Sequence, residues 1–508
     1  MRRLSPSYVF GAVLLVLLVA LAFGSVPKVA AQAPGIVTGS VVPVTAATLV
    51  CPGLAAAADV SQHTILSAGS PAPVTSTTDT PAASPGAISA VPDGLRIDRL
   101  GTPVTKTPLA AVSAGARSVT YSVPPGPAST FVVRGTGSLA QGLSAQFLTR
   151  TPLGPGRSLA AGQCAAPGGE FWFVGGGANP GRATTLLLTN VDTAPATVDV
   201  TAYGGKGPVS AEPGQGVLVA PGKQVALPVD SLIPGEPSTA IHVVARSGRF
   251  SASMFDAQAT GLTPGGADWV PLSINPATSL VVPAIAGDVG AARTVSLLVP
   301  GPTNAVVRIG IATGRGLLVP TGYDALEVPA GQLVTLKLSA VANPGPFGLV
   351  VTSDQPLVAG VRVVRGTKAQ LPDFAYAAGS AAVTTPMVLT AVAASSNTKA
   401  TLQLTAGSGG AASVLVTIIP ATGAPIPTVV KVPENRTVVV QLGPGLSAPG
   451  TIELTPVGGS MPVYAGVTLK QDGARGPLMT TRWFSATPSS VRLPSVQPDP
   501  GLATTTGG

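Results

Sequence analysis

The chain has 508 residues, too many for one hydrophobic core and enough for roughly three to five domains. Only 10% of residues are charged and 4% aromatic, while 62 Gly and 52 Pro stand beside a 45% hydrophobic share. That mixture disfavours helices and favours short strands joined by many turns. The formal charge of +8 comes without a Lys/Arg cluster or a basic stripe interleaved with aromatics, which argues against nucleic acid as a partner.

In chain order, Arg2 and Arg3 precede an uncharged apolar stretch from Tyr8 to Val26. A stretch of this kind is just long enough to cross a bilayer as one helix, of about 20 residues. Val29-Ala30-Ala31 also reads as a cleavage site, so a cleaved signal stands as the alternative to the favoured uncleaved anchor. Two arginines on the short side against the single Lys28 beyond keep the N-terminus cytoplasmic. The expected location is a single-pass protein of the cell membrane with its bulk extracytoplasmic, or a secreted protein if the signal is cleaved. An oxidising exterior then lets Cys51 and Cys164, the only cysteines, form one disulfide; two buried free thiols are the alternative.

Beyond the anchor the sequence repeats weakly, with a period of about 105 to 110 residues. An early strand reads "TTLLLTN" from Thr184, "TVSLLVP" from Thr294 and "ATLQLTA" from Ala400; the next reads "ATVDVTAYG" from Ala196, "AVVRIGIATG" from Ala305 and "ASVLVTIIPATG" from Ala412. Their alternation puts Val198, Val200 and Ala202 on one face and Thr197, Asp199 and Thr201 on the other. Gly222, Gly331 and Asn435 fall at one turn position of successive copies, a place for positive φ. Each copy is expected to close with a hairpin, then an aromatic segment: Trp269, then Phe374 and Tyr376, then Trp483 and Phe484.

The predicted fold is therefore all-β: tandem antiparallel β-sandwich modules of immunoglobulin-like or fibronectin-like architecture after one N-terminal transmembrane helix. The boundaries read from the sequence are 1–33 for a cytoplasmic stub and signal anchor, then modules at 34–160, 161–275, 276–382 and 383–486, and a disordered tail at 487–508. The first module carries a Ser/Thr/Pro-rich insertion between Pro52 and Pro92.

Groups able to do chemistry are few. His63 and His242 are the only histidines, and with two cysteines they make no convincing metal site, so neither metal nor cofactor is expected. Asp256 and Asp268 flank "AQATGLTPGGA" and are the one carboxylate pair worth testing as hydrolase acids, although such a pair arises readily by chance. The run Phe171-Trp172-Phe173 must turn Trp172 away from its neighbours; core or intermodule packing is the plainer reading, and a sugar-stacking platform the other. Trp172 and Trp269 are thus the candidate glycan contacts. The triple glycine that follows, Gly175 to Gly177, reads as the first hairpin turn of a sandwich, because no helix follows to make it a phosphate cradle.

The pattern "FWFVGGG…GRATTLLLTNVDTAPATVDVTAYG…GADWVP", with Cys51 in "LVCPG" and Cys164 just upstream, resembles an uncharacterised family of membrane-anchored, exported actinobacterial proteins. The resemblance is strongest from Cys164 to Pro271. It implies an N-terminal anchor, tandem β domains and an envelope location, and brings no catalytic residues. The expectation is a non-enzymatic cell-envelope protein, a scaffold or accessory factor for surface or glycan assembly that meets the membrane through its N-terminal helix and envelope proteins or glycans through its modules. The alternative is a carbohydrate-binding or adhesive ectodomain.

Overall fold

A computed structural model describes residues 41–54, 62–72, 91–112, 115–124, 126–338, 345–366, 370–395, 397–443 and 446–493. The expected anchor at 1–33, most of the insertion and the end of the tail lie outside these residues; within the bounds expected for the insertion, His63–Gly69 is instead a strand of module 1 with Leu66 and Ala68 in its core. Among them there is no α-helix, and no helix long and apolar enough to cross a membrane. The chain divides into two compact units, one formed by both termini and one by Pro43–Ser490. A two-stranded ribbon pairs Val41–Pro43 with Ser490–Arg492. The expected disordered tail is therefore structured at its start: Thr487 is buried and its N–H donates to Leu143 O at 2.9 Å.

The larger unit holds four copies of one eight-stranded arrangement, spanning Ala46–Gln163, Glu170–Val270, Ala277–Ala378 and Met387–Trp483 and called modules 1 to 4 here. With strands counted from first to eighth in each copy, one antiparallel sheet has the order first-sixth-third-fourth and the other fifth-second-seventh-eighth. The fourth position is split into two short strands in modules 2 and 3. Alternation drives the pairing of faces: in Ala196–Gly204, Ala196, Val198, Val200 and Ala202 are buried at 0–1% exposure while Thr197, Asp199 and Thr201 are half-buried. Gly222, Gly331 and Asn435 all adopt positive φ (66°, 71° and 56°), as their shared turn position requires.

Three expectations need correction. A constant-type immunoglobulin sandwich keeps its first two strands in one sheet, whereas here the first and second lie in opposite sheets. The sixth and seventh strands do not form a hairpin either; they belong to opposite sheets, and in module 3 they are one continuous strand, Phe347–Arg365, that passes from sheet to sheet. Only the third–fourth and seventh–eighth connections are hairpins within a sheet. The Gly175–Gly177 run likewise links the two sheets of module 2 and is no hairpin turn.

The eighth strands, Ser158–Gln163, Thr263–Val270, Asp373–Ala378 and Gly476–Trp483, are the edges of their sheets, and they meet one another in cyclic order. Each sends side chains into the core of the preceding module. Trp269 enters the core of module 1, Phe374 and Tyr376 that of module 2, Met479 and Trp483 that of module 3, and Leu159 that of module 4. Module 1 thus packs against module 4 as well as module 2, and the cycle closes.

Candidate functional site

Four sheet edges converging in one place bring unpaired backbone N–H groups that must find acceptors. Two buried aspartates supply them. Asp268 Oδ1 accepts from Ala161 N–H (3.1 Å) and the Thr480 hydroxyl (3.0 Å), and its Oδ2 accepts from Tyr376 N–H (3.3 Å). Asp373 Oδ2 accepts from Leu159 N–H (3.1 Å) and Met479 N–H (3.0 Å), while its Oδ1 is buried without a protein partner. Between them the two carboxylates tie together the eighth strands of all four modules. Burial raises both pKa values, that of Asp373 to about 7 and that of Asp268 well above the usual carboxylate range, the second with added repulsion from Asp373.

Two buried arginines fasten the same region. Arg157, 1% exposed, donates to Pro372 O (3.3 Å) in module 3 and to Pro477 O (3.0 Å) in module 4. Arg482 donates to Gln146 Oε1 (3.2 Å) in module 1 and to Thr390 O (2.7 Å) and Ala391 O (2.9 Å) in its own module; burial pulls its pKa down to about 10.

The sequence-derived candidates fall as follows. Cys51 and Cys164 form a disulfide, S–S 2.04 Å, that joins the first strand of module 1 to the residue just past its eighth. Asp256 and Asp268 stand directly opposite each other on neighbouring strands, so the pair is close, yet both are enclosed at 0–1% exposure. Asp256 receives Arg182 through two N–H groups (3.1 and 2.7 Å), the Thr184 hydroxyl (2.7 Å) and the Tyr376 hydroxyl (2.7 Å). Its ligands are those of a structural carboxylate. His63 is exposed at the start of its strand. No group of three or more His, Cys, Asp or Glu placed to hold a metal occurs among the described residues.

Trp172 is 3% exposed and lies in a small apolar cluster with Leu298, Leu333 and Val358 of module 3. Its ring stacks on His242 at 3.8 Å, and Glu170 binds both the indole N–H (3.0 Å) and the imidazole (2.8 Å). Phe171 and Phe173 point the other way, into the core of module 2. Trp269 packs edge-on against Phe147 at 5.0 Å and borders a cavity of about 350 Å³ between modules 1 and 2. Phe255, Leu187 and Ala160 share its apolar wall, Thr149, Thr151 and Thr185 line it too, and none of its described lining residues is charged.

The triple glycine gains a specific reason here. Gly176 N–H donates to Tyr376 Oη (3.1 Å), and a Cβ on Gly175 would lie 2.7 Å from the Tyr376 ring, so the bare backbone is what admits the tyrosine of the next module. Sequence reasoning missed Arg157 and Arg482, and it gave Arg182 and Asp373 no part in joining modules. A usable signal was the acid-aromatic pair, Asp268-Trp269 and Asp373-Phe374, that recurs at the eighth strand.

These features define an all-β protein of four interlocked, sandwich-like modules stapled by one disulfide. The chain belongs to the family of unknown function DUF5719, whose model matches residues 119–443. No match was found among curated proteins.

Proposed function

We propose that the protein is a non-enzymatic, membrane-anchored scaffold or accessory factor of the cell envelope, its four modules held outside the membrane by the N-terminal helix to serve surface or glycan assembly. The observation that carries this reading is where the reactive groups have gone. Asp256, Asp268, Asp373, Arg157, Arg182 and Arg482 are all spent on joining modules to one another. The disulfide supports an oxidising location outside the cytoplasm. A photo-crosslinking residue placed at Leu262, a hairpin tip 97% exposed, should trap a reproducible envelope neighbour in intact cells. Recovery of only uncrosslinked protein from several such tips would sink the reading.

The cavity beside Trp269 favours a second reading, a carbohydrate-binding or adhesive ectodomain. A neutral, partly apolar pocket with hydroxyls along its wall suits the apolar face of a sugar ring. Titration with neutral oligosaccharides should change tryptophan emission in the native chain and not in Trp269→Phe. No change at millimolar sugar would end this alternative.

A further inference from the structure

The seam between modules 2 and 3 holds a second cavity, of about 240 Å³, whose chemistry is opposite to that of the first. Three cationic side chains, Arg182, Arg362 and Lys337, line it together with Tyr376, Ser238 and Ser296. Asp256 neutralises Arg182 through the paired contacts given above. Arg362 has no such carboxylate: its Nη2 donates to the neutral amide of Gln258 (2.6 Å), its guanidinium lies 4.1 Å from the Phe374 ring centre, and its Nε is buried with no protein partner. Lys337 makes no ion pair among the described residues. Two cations therefore lack a paired carboxylate at one concave, hydroxyl-bearing site: half-buried Arg362, whose pKa burial lowers against the attraction of Tyr376 and Asp256, and exposed Lys337. A half-buried guanidinium with a buried, unpartnered Nε is poorly compensated, and its fork matches the geometry of an oxyanion.

The geometry points to a binding site for a doubly charged tetrahedral oxyanion, a phosphate group, held between Arg362 and Lys337 with hydroxyls of both modules around it. The cavity is smaller than the ~300–1,000 Å³ of clefts that take drug-sized ligands, so the ligand is a compact headgroup. Its source is either free phosphate or a phosphate monoester carried on an envelope polymer. This site does not depend on the scaffold reading above, because a phosphate group can be bound with or without a protein partner.

The full chain, purified in detergent, would be titrated by calorimetry with inorganic phosphate, with glycerol phosphate and, as a control, with acetate. Saturable binding of either phosphate compound, with acetate at least about tenfold weaker, is expected. Tighter binding of glycerol phosphate identifies the esterified source, and tighter binding of inorganic phosphate the free ion. Lys337→Met removes an exposed side chain that the fold does not use and should weaken binding about tenfold or more; Arg362→Gln should abolish it. Absence of saturable binding at millimolar phosphate overturns the site, and so does binding that survives both substitutions.

Discussion

The seam between modules 1 and 2 and the seam between modules 2 and 3 are built from the same strand positions with different chemistry. In module 2 one row across the second, seventh and eighth strands reads Thr185, Phe255, Trp269; the matching row in module 3 reads Thr294, Arg362, Tyr376. On the fifth strand the row ends in Pro228 in module 2 and in Lys337 in module 3. Behind the first row, module 1 offers Thr64, Thr149 and Ala160; behind the second, module 2 offers Thr184, Asp256 and Asp268. The backbone repeats, and an aromatic ring enters the preceding core in both. The side chains around that ring have diverged, one seam becoming neutral and apolar, the other charged.

The largest expected difference between the seams comes from the staple, which lies at the junction of modules 1 and 2. Replacing Cys51 and Cys164 by Ala opens a loop with a sequence separation of 113 residues. In the chain-entropy model this costs about 4 to 5 kcal/mol, read as a fall in the urea midpoint. At the charged seam, Asp256→Ala leaves Arg182 buried without its counter-charge and should cost about 3 to 5 kcal/mol. If that loss were under about 1 kcal/mol, the seam would be far wetter than its 0–6% side-chain exposures indicate. At the neutral seam, Trp269→Ala should cost about 3 kcal/mol, near the low end for an aromatic truncation, because the adjoining cavity already limits its contacts. Tyr376→Phe keeps the ring in its socket and removes only the hydroxyl, which is bonded to Asp256, Arg182 and Gly176 N–H, for about 1.5 to 3 kcal/mol.

Both seams reach the two central carboxylates, and there pH sharpens the comparison. Burial lifts Asp373 from 3.8 in the unfolded chain to about 7 in the folded one. The folded state therefore holds the proton more tightly, and the stability linked to it is complete below about pH 3.8 and lost as pH rises through about 7. Asp268 shifts in the same direction. Urea midpoints compared at acidic and mildly alkaline pH should fall more for the native chain than for Asp373→Asn, whose side chain does not titrate. An equal fall in both would show that the ionised carboxylate is well accommodated at the centre.

Much of this architecture is legible along the chain because it is written locally. Period-2 alternation marks the strands, and Gly222, Gly331 and Asn435 mark a shared turn. What the sequence does not display is which sheet a strand joins. The alternation through Phe347–Arg365, interrupted at Gln355-Pro356, looks the same for a hairpin and for a strand that changes sheets. The aromatic segments at Trp269, Phe374 and Trp483 recur visibly, but their destination in the preceding module is a long-range fact with no local trace. Asp256 and Asp268 show the same limit: sequence places them near each other, and only the enclosing Arg182, Thr184, Thr480 and Tyr376 reveal that they bind protein.

The exchange of side chains around the cycle also bears on how the protein is made. A chain that emerges N-terminus first completes module 1 while the socket for Trp269 stands empty, and that socket fills only once about a hundred further residues have appeared. Leu159 waits longest, since the core that receives it belongs to the last module. None of the first three modules is finished when its own strands are, so the cycle is sealed only once module 4 has been made, and a chain truncated before it keeps open sockets.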